Sequence, residues 1–123
     1  MNLVVIALGG AVGALARYGL SGAVHRFASP YFPWGTFVVN VAGCLVFGFI
    51  AGLTDERLTI DQTTRAFLLV GVLGAFTTFS TFSFETVELL RNGETAAALM
   101  NAGGQLLLGM VAMFGGGLAG KAL

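Results

Sequence analysis

Long stretches without any charged residue constrain this sequence more than any other feature. Asp, Glu, Lys and Arg are all missing from residues 1–16, 27–54, 66–84 and 95–120, windows of 16, 28, 19 and 26 residues. A helix rises about 1.5 Å per residue, so about 20 apolar residues cross the roughly 30 Å hydrocarbon core of a bilayer. The pattern predicts four membrane-spanning helices, the first of which continues past Arg17 to about Val24.

The composition indicates a membrane protein of one domain. Apolar residues make up 56% of the chain and charged residues only 10%, whereas soluble domains average about 25% charged residues. The predicted spans lie at about 3–26, 34–53, 66–90 and 96–120. Since they use almost the whole chain, we predict that residues 1–123 form a single all-α transmembrane domain of four helices.

The charges exclude one class of partner and leave the orientation open. Six basic and six acidic residues give a formal net charge of zero, so nucleic acid is not an expected partner. Arg57, Arg65 and Lys121 lie near the span ends on the face of the N-terminus, and Arg26 and Arg91 lie on the other face. Because Lys and Arg near the spans set membrane orientation, so small a bias allows insertion both ways. The two orientations can then pair as an antiparallel homodimer.

Polar side chains inside the predicted spans are functional candidates, because hydrocarbon offers them no water. At about 1.5 Å per residue, four of them lie about 8–14 Å from the membrane face of Arg26 and Arg91, in the same half of the bilayer. These four are Arg17, Asn40, Asn101 and Gln105. One shared polar vestibule explains this placement, and so do hydrogen bonds that only hold helices together. Thr36 precedes Asn40 by one turn on the same face. Arg17 can also snorkel to the nearer surface.

The third span contains the most unusual sequence. Five hydroxyl residues lie between Thr77 and Ser83, just after Gly71 and Gly74. Because Gly weakens a helix and Ser and Thr compete for its backbone, we predict a break near residues 74–78, close to the midplane. Unwound carbonyl groups at that depth suit a cation such as Na⁺.

Two phenylalanines lie within the same stretch of the third span. Phe79 and Phe82 are three residues apart and share a helix face. Ordinary contacts with lipid or core are one interpretation. In the other interpretation, the ring edges, which carry partial positive charge, surround an anion together with the hydroxyl donors.

Residues suited to bond-making chemistry are missing. His25 is the only histidine, and no Cys or carboxylate stands near it at metal-ligand spacing. Cys44 lies in the middle of the second span, and no motif places a base beside it or beside any Ser. We therefore expect neither an enzyme nor a zinc site.

Three segments carry a resemblance to a known family, at residues 10–17, 33–43 (PWGTFVVNVAG) and 74–85 (GAFTTFSTFSFE). In these segments, and in its length and order of spans, the chain resembles the bacterial fluoride channel family, CrcB or Fluc. The resemblance implies an antiparallel dual-topology homodimer with two pores in the bacterial inner membrane. It also implies passive export of fluoride from the cytoplasm, and hence fluoride resistance.

The resemblance further implies roles for individual residues. Asn40 would be the pore amide, and Phe79 and Phe82 the paired aromatic residues of the pore. The backbone carbonyls of Gly74 and Thr77 would bind a structural Na⁺ on the two-fold axis. The matched segments also contain further pore candidates: Thr36, Ser80, Thr81 and Glu85. In the last span Asn101 and Gln105 stand where the family has Tyr and Ser.

Two other functions fit a small four-span protein. A small multidrug exporter has a similar length and possible dual topology, but such proteins carry a membrane-embedded carboxylate in the first helix. Here the first span has no Asp or Glu. A purely structural membrane protein would use the same polar residues as packing contacts, so only a flux measurement separates it from a channel.

Overall fold

A computed structural model describes residues 2–56 and 59–123, apart from the side chain of Glu56. The regular structure of these residues is entirely helical: α1 (Leu3–Phe27), α2 (Trp34–Glu56), α3 (Gln62–Arg65), a π-helical segment (Ala66–Val72), α4 (Leu73–Phe76), α5 (Phe79–Arg91) and α6 (Thr95–Ala122). Arg57, one of the basic residues counted on the N-terminal face, lies outside the described residues.

Among the described residues, four helical stretches are long and apolar enough to cross a membrane: Leu3–Phe27, Trp34–Asp55, Gln62–Arg91 and Thr95–Ala122. Their ends agree with the predicted spans to within four residues. The prediction of an all-helical protein with four apolar spans is therefore confirmed. The charge-free windows predict the spans correctly because a segment in hydrocarbon must satisfy its own backbone hydrogen bonds, and a helix does so.

Side-chain caps and a glycine turn set the helix ends. Asn2 Oδ1 accepts from Val4 N at 2.9 Å and begins α1. Asp61 caps α3 by accepting from Thr64 N at 2.8 Å. Hydrogen bonds from the side chain and from the backbone of Thr64 hold the pKa of the Asp61 carboxyl below its usual value. Between α5 and α6 the chain turns at Gly93, whose φ of +77° suits glycine.

Close contacts between helices depend on small residues. α2 packs along α6, while α1 packs against the π-helical segment and α4. A Cβ at Gly13 would overlap the backbone carbonyl of Val72, and one at Gly48 would overlap that of Met113. The Gly-x-x-x-Gly spacings at Gly9/Gly13 and Gly48/Gly52 therefore lie at close helix contacts.

Most of the large apolar side chains lie on the outer surface of the helix bundle. Leu15, Phe27 and Leu107 are examples of exposed apolar residues, whereas Asn101 and Gln105 are buried. This distribution inverts that of a soluble protein and suits a chain surrounded by lipid.

Candidate functional site

Two extended residues separate α4 from α5. Thr77 has φ −87° and ψ 154°, and Thr78 has φ −148° and ψ 121°. In a continuous α-helix Thr78 N would donate to the carbonyl of Gly74. It donates instead to Asn40 Oδ1, at 2.9 Å. The helical hydrogen-bond pattern is therefore interrupted at this point.

Asn40 of α2 pairs with both backbone polar groups of Thr78. Its Oδ1 accepts from Thr78 N, and its Nδ2 donates to Thr78 O at 3.0 Å. Thr78 also caps α5, because its Oγ1 accepts from Thr81 N at 3.3 Å. One amide thus pairs with both backbone polar groups of Thr78, which the interruption would otherwise leave without partners.

A line of side-chain amides, which we call the amide ladder, runs from Asn40 through Gln105 to Asn101. Asn40 Nδ2 donates to Gln105 Oε1 at 2.8 Å, and Gln105 Nε2 donates to Asn101 Oδ1 at 2.8 Å. Asn101 Nδ2 then donates to Thr86 Oγ1 at 2.9 Å, and that hydroxyl donates to the carbonyl of Phe82 at 2.8 Å. Every amide points its nitrogen the same way, so the ladder has a direction.

Phe79 and Phe82 contact each other, with ring centroids 5.7 Å apart and planes tilted by 45°. They line a cavity of about 390 Å³, which we call the aromatic cavity. Its polar lining consists of Asn40, Thr77, Thr78 and Gln105. Phe79 is 76% exposed, so a single chain leaves this side of the cavity open.

A second cavity of about 710 Å³, which we call the polar cavity, lies beside α1. Its ionisable lining residues are Arg17, Tyr18, His25, Arg26 and Glu85, and its hydroxyl residues include Thr36, Thr78 and Thr81. Glu85 Oε1 is buried and has no hydrogen-bond partner among the described residues. Within the part of the chain that the structure describes, Thr78 is the residue that lines both cavities, so it lies at the boundary between them.

Arg17 connects α1 to the interrupted segment. Its Nε donates to the carbonyl of Ala75 at 3.2 Å, two residues before the extended Thr77. The side chain therefore reaches across the polar cavity wall to the backbone of α4 while it also lines that cavity.

The structure divides the residues that the sequence placed in one vestibule. Asn40, Asn101 and Gln105 come together in the amide ladder. Arg17 and Thr36 line the polar cavity instead. Ser80 is exposed and lines neither cavity, although its Oγ lies 3.5 Å from Thr78 Oγ1.

Sequence reasoning did not single out two residues that the geometry makes important. Thr78 was one hydroxyl in a run of five, and its contribution comes through its backbone. Thr86 lies outside that run, but it follows Phe82 by one helical turn and receives the last bond of the ladder. Its only sequence signal was a hydroxyl four residues after a candidate pore aromatic residue.

Four apolar helical stretches of spanning length, with a partly buried line of neutral amides and hydroxyls between them, define a multi-pass membrane protein with a polar interior. The family model described as CrcB-like protein, Camphor Resistance (CrcB), matches residues 4–117. The chain belongs to this family, which confirms the resemblance found in the sequence.

Three relatives illustrate the similarity. The chain is 51% identical over 113 residues to the fluoride-specific ion channel FluC of Nitratidesulfovibrio vulgaris, covering 92% of this chain and 91% of the relative. Identity is 47% over 116 residues to that of Maridesulfovibrio salexigens (94% and 92% covered), and 50% over 113 residues to that of Nitrosococcus oceani (92% and 90% covered). These relatives are named as ion channels and not as enzymes, in agreement with expectation. The chain is a multi-pass protein of the bacterial inner membrane.

Proposed function

We propose that this chain is a fluoride-selective channel that lets fluoride leave the cytoplasm passively. The observation that carries the proposal is the 51% identity, over 92% of the chain, to a relative named as a fluoride-specific ion channel. The family match at residues 4–117 includes the whole amide ladder and every residue that lines the two cavities described above.

The lining of the aromatic cavity supports anion conduction. Fluoride is small and strongly hydrated, so a pore must return the hydrogen bonds that it removes. The polar residues of this cavity, Asn40, Thr77, Thr78 and Gln105, are all neutral. The ring edges of Phe79 and Phe82 add partial positive charge. Such a lining stabilises an anion without a fixed charge that would hold it in place.

The polar cavity supports a role as the entrance to this pathway. Arg17, His25 and Arg26 face one carboxylate, that of Glu85, so basic groups predominate in its lining. A cavity in which basic side chains outnumber carboxylates raises the local concentration of anions. Fluoride would pass Thr36, Thr81 and Glu85 here and cross to the aromatic cavity at Thr78, near Ser80.

A second, antiparallel copy completes the pathway in this proposal. Phe79 is 76% exposed in the single chain, although it lies beside the polar backbone of Thr77 and Thr78. Lipid would be a poor covering for that backbone, because hydrocarbon offers no hydrogen bonds. The small difference in basic residues between the two faces supports insertion in both orientations. Each subunit is one four-helix domain.

A structural Na⁺ between the two copies fits the donor set of the interrupted third segment. Thr78 N donates to Asn40, so the carbonyl of Gly74 does not receive the bond that an unbroken helix would supply. The Thr77 carbonyl receives none of the described backbone hydrogen bonds. Neutral carbonyls at the end of a half-helix are typical ligands of Na⁺. The ion would supply the positive charge that holds the carbonyl dipoles of two midplane breaks together.

Fluoride efflux from proteoliposomes tests the proposed function. Vesicles loaded with potassium fluoride and treated with a potassium ionophore should release fluoride to an external electrode, and protein-free vesicles should not. Vesicles loaded with potassium chloride should retain chloride under the same conditions. If properly assembled protein releases no fluoride, the proposal is wrong.

A further inference from the structure

We infer that Asn40 is a positioning residue, and that the N–H group offered to fluoride in the aromatic cavity belongs to Gln105. This inference rests on the proposed function, because it concerns the path of the anion through that cavity. It reassigns the role of pore amide from Asn40 to the next amide of the ladder.

The N–H groups of Asn40 are all engaged in hydrogen bonds, whereas Gln105 has one to spare. A side-chain amide carries two N–H groups. Those of Asn40 are both used, one on Thr78 O at 3.0 Å and one on Gln105 Oε1 at 2.8 Å. Gln105 Nε2 makes one described bond, to Asn101 Oδ1, and therefore keeps one N–H group.

Gln105 and Asn101 both have a spare N–H group, but they differ in their access to the aromatic cavity. Asn101 also makes one described N–H bond, but it is completely buried and lines neither cavity. Gln105 lines the aromatic cavity together with Phe79 and Phe82. Among the three amides of the ladder, Gln105 thus combines a spare donor with access to the cavity.

The backbone of Thr78 fixes the direction of the whole ladder. A side-chain amide can reverse by exchanging its oxygen and nitrogen, but a backbone N–H always donates and a backbone carbonyl always accepts. Asn40 must therefore place its oxygen against Thr78 N and its nitrogen against Thr78 O. A reversed Gln105 would then set its own NH₂ against that of Asn40, and both groups would be donors.

This direction matters because fluoride can only accept hydrogen bonds. With the direction set by Thr78, Gln105 turns its oxygen to Asn40 and keeps its nitrogen for Asn101 and for the anion. Hydrogen bonds to an ion are roughly twice as strong as those between neutral groups. Asn40 acts on fluoride through this orientation, not by direct contact.

Selective isotope labelling can test which amide meets the anion, because the chain has only two glutamines, Gln62 and Gln105. Gln62 is exposed and serves as an internal control. In ¹⁵N-glutamine protein in detergent, sodium fluoride should shift one of the two side-chain N–H signals of Gln105 downfield. Gln62 should not respond, and sodium chloride should shift neither residue.

Asparagine labelling supplies the decisive comparison. Asn40 and Asn101 should keep their side-chain signals on addition of fluoride, with the exposed Asn2 and Asn92 as controls. A fluoride-dependent shift at Asn40 with none at Gln105 would assign direct contact to Asn40 and overturn the inference. The absence of a shift at both residues would overturn it as well.

Asn40→Asp tests the positioning role, since the carboxylate still accepts from Thr78 N but cannot donate to Gln105. We expect the fluoride response of Gln105 to disappear in variant protein that elutes like wild type, while Asn92→Asp retains it. A response that persists in Asn40→Asp would refute the positioning role.

A second variant covers the case in which Asn40→Asp does not fold. Gln105→Glu keeps an oxygen toward Asn40 and removes the N–H group, so fluoride efflux should fall at least tenfold, and Gln62→Glu should match wild type. Equal efflux from Gln105→Glu and wild type would contradict the inference. Wild-type efflux without a Gln105 response refutes this inference alone, whereas the absence of efflux refutes the proposed function.

Discussion

The side-chain amide of Asn40 holds both backbone polar groups of Thr78, accepting from its N–H at 2.9 Å and donating to its carbonyl at 3.0 Å. The two residues are 38 positions apart in the chain. Extended backbone inside an apolar span is tolerated only where its polar groups find partners. Asn40 is such a partner, and it joins α2 to the start of α5.

Removal of this amide should destabilise the protein. Asn40→Ala leaves the part-buried N–H and carbonyl of Thr78 without a side-chain partner, and an unpaired group costs at most about 1–3 kcal/mol, the value for full burial. We expect a lower melting temperature in detergent than for wild type. Asn92→Ala, at an exposed helix end, is the control. Equal melting temperatures for the two variants would show that the Asn40 pair does not stabilise the interrupted segment.

The rings of Phe79 and Phe82 should be needed for conduction and not for assembly. Ile keeps most of the hydrophobic volume and removes the aromatic quadrupole, so Phe79→Ile and Phe82→Ile should each reduce fluoride efflux at least tenfold. Phe84 lies on the same helix, is 65% exposed and lines neither cavity, so Phe84→Ile is the matched control. Wild-type efflux from both well-folded variants would show that these rings serve only in packing.

The sequence predicted which segments are long and apolar enough to span the membrane, but not which way each side chain turns about its helix axis. Charge-free windows located four spans, and counting residues placed the polar groups in one half of the bilayer. The count contains no information on how helices turn toward each other in the bundle. Thr36 and Asn40 are one turn apart on α2, yet Thr36 lines the polar cavity and Asn40 the aromatic cavity.

Long-range hydrogen bonds were the other feature that the sequence could not give. Asn40 and Gln105 are 65 residues apart, and no local spacing links them. The role of Thr78 depends on its backbone, which is the same in every residue and has no sequence signal. The Arg17 bond to the Ala75 carbonyl, across 58 residues, was invisible for the same reason.

Insertion in both orientations predicts access from both sides of the membrane. Thr59 and Asn92 are exposed and lie at opposite ends of the third segment. In a Cys44→Ala background, Thr59→Cys and Asn92→Cys should each react with an impermeant thiol reagent to about half completion from outside the cell. Complete reaction of one site with no reaction of the other would rule out the antiparallel dimer.

Sodium should stabilise the dimer if the carbonyls of Gly74 and Thr77 bind it. A ligand that binds only the folded state adds about 2.7 kcal/mol of stability at a hundredfold excess over its dissociation constant. Replacement of Na⁺ by N-methylglucamine should therefore lower the melting temperature, and added Na⁺ should restore it with saturation. A melting temperature that is independent of Na⁺ at constant ionic strength would argue against this site.

The reversal potential of the purified protein in a planar bilayer tests the central claim most directly. With a tenfold fluoride gradient and equal pH on both sides, a passive fluoride-selective channel should reverse near the fluoride equilibrium potential, about 59 mV for one charge. A further pH gradient, at constant fluoride, should not move this potential. A reversal potential near zero under the fluoride gradient, or one that follows the pH gradient, would contradict passive and selective fluoride conduction.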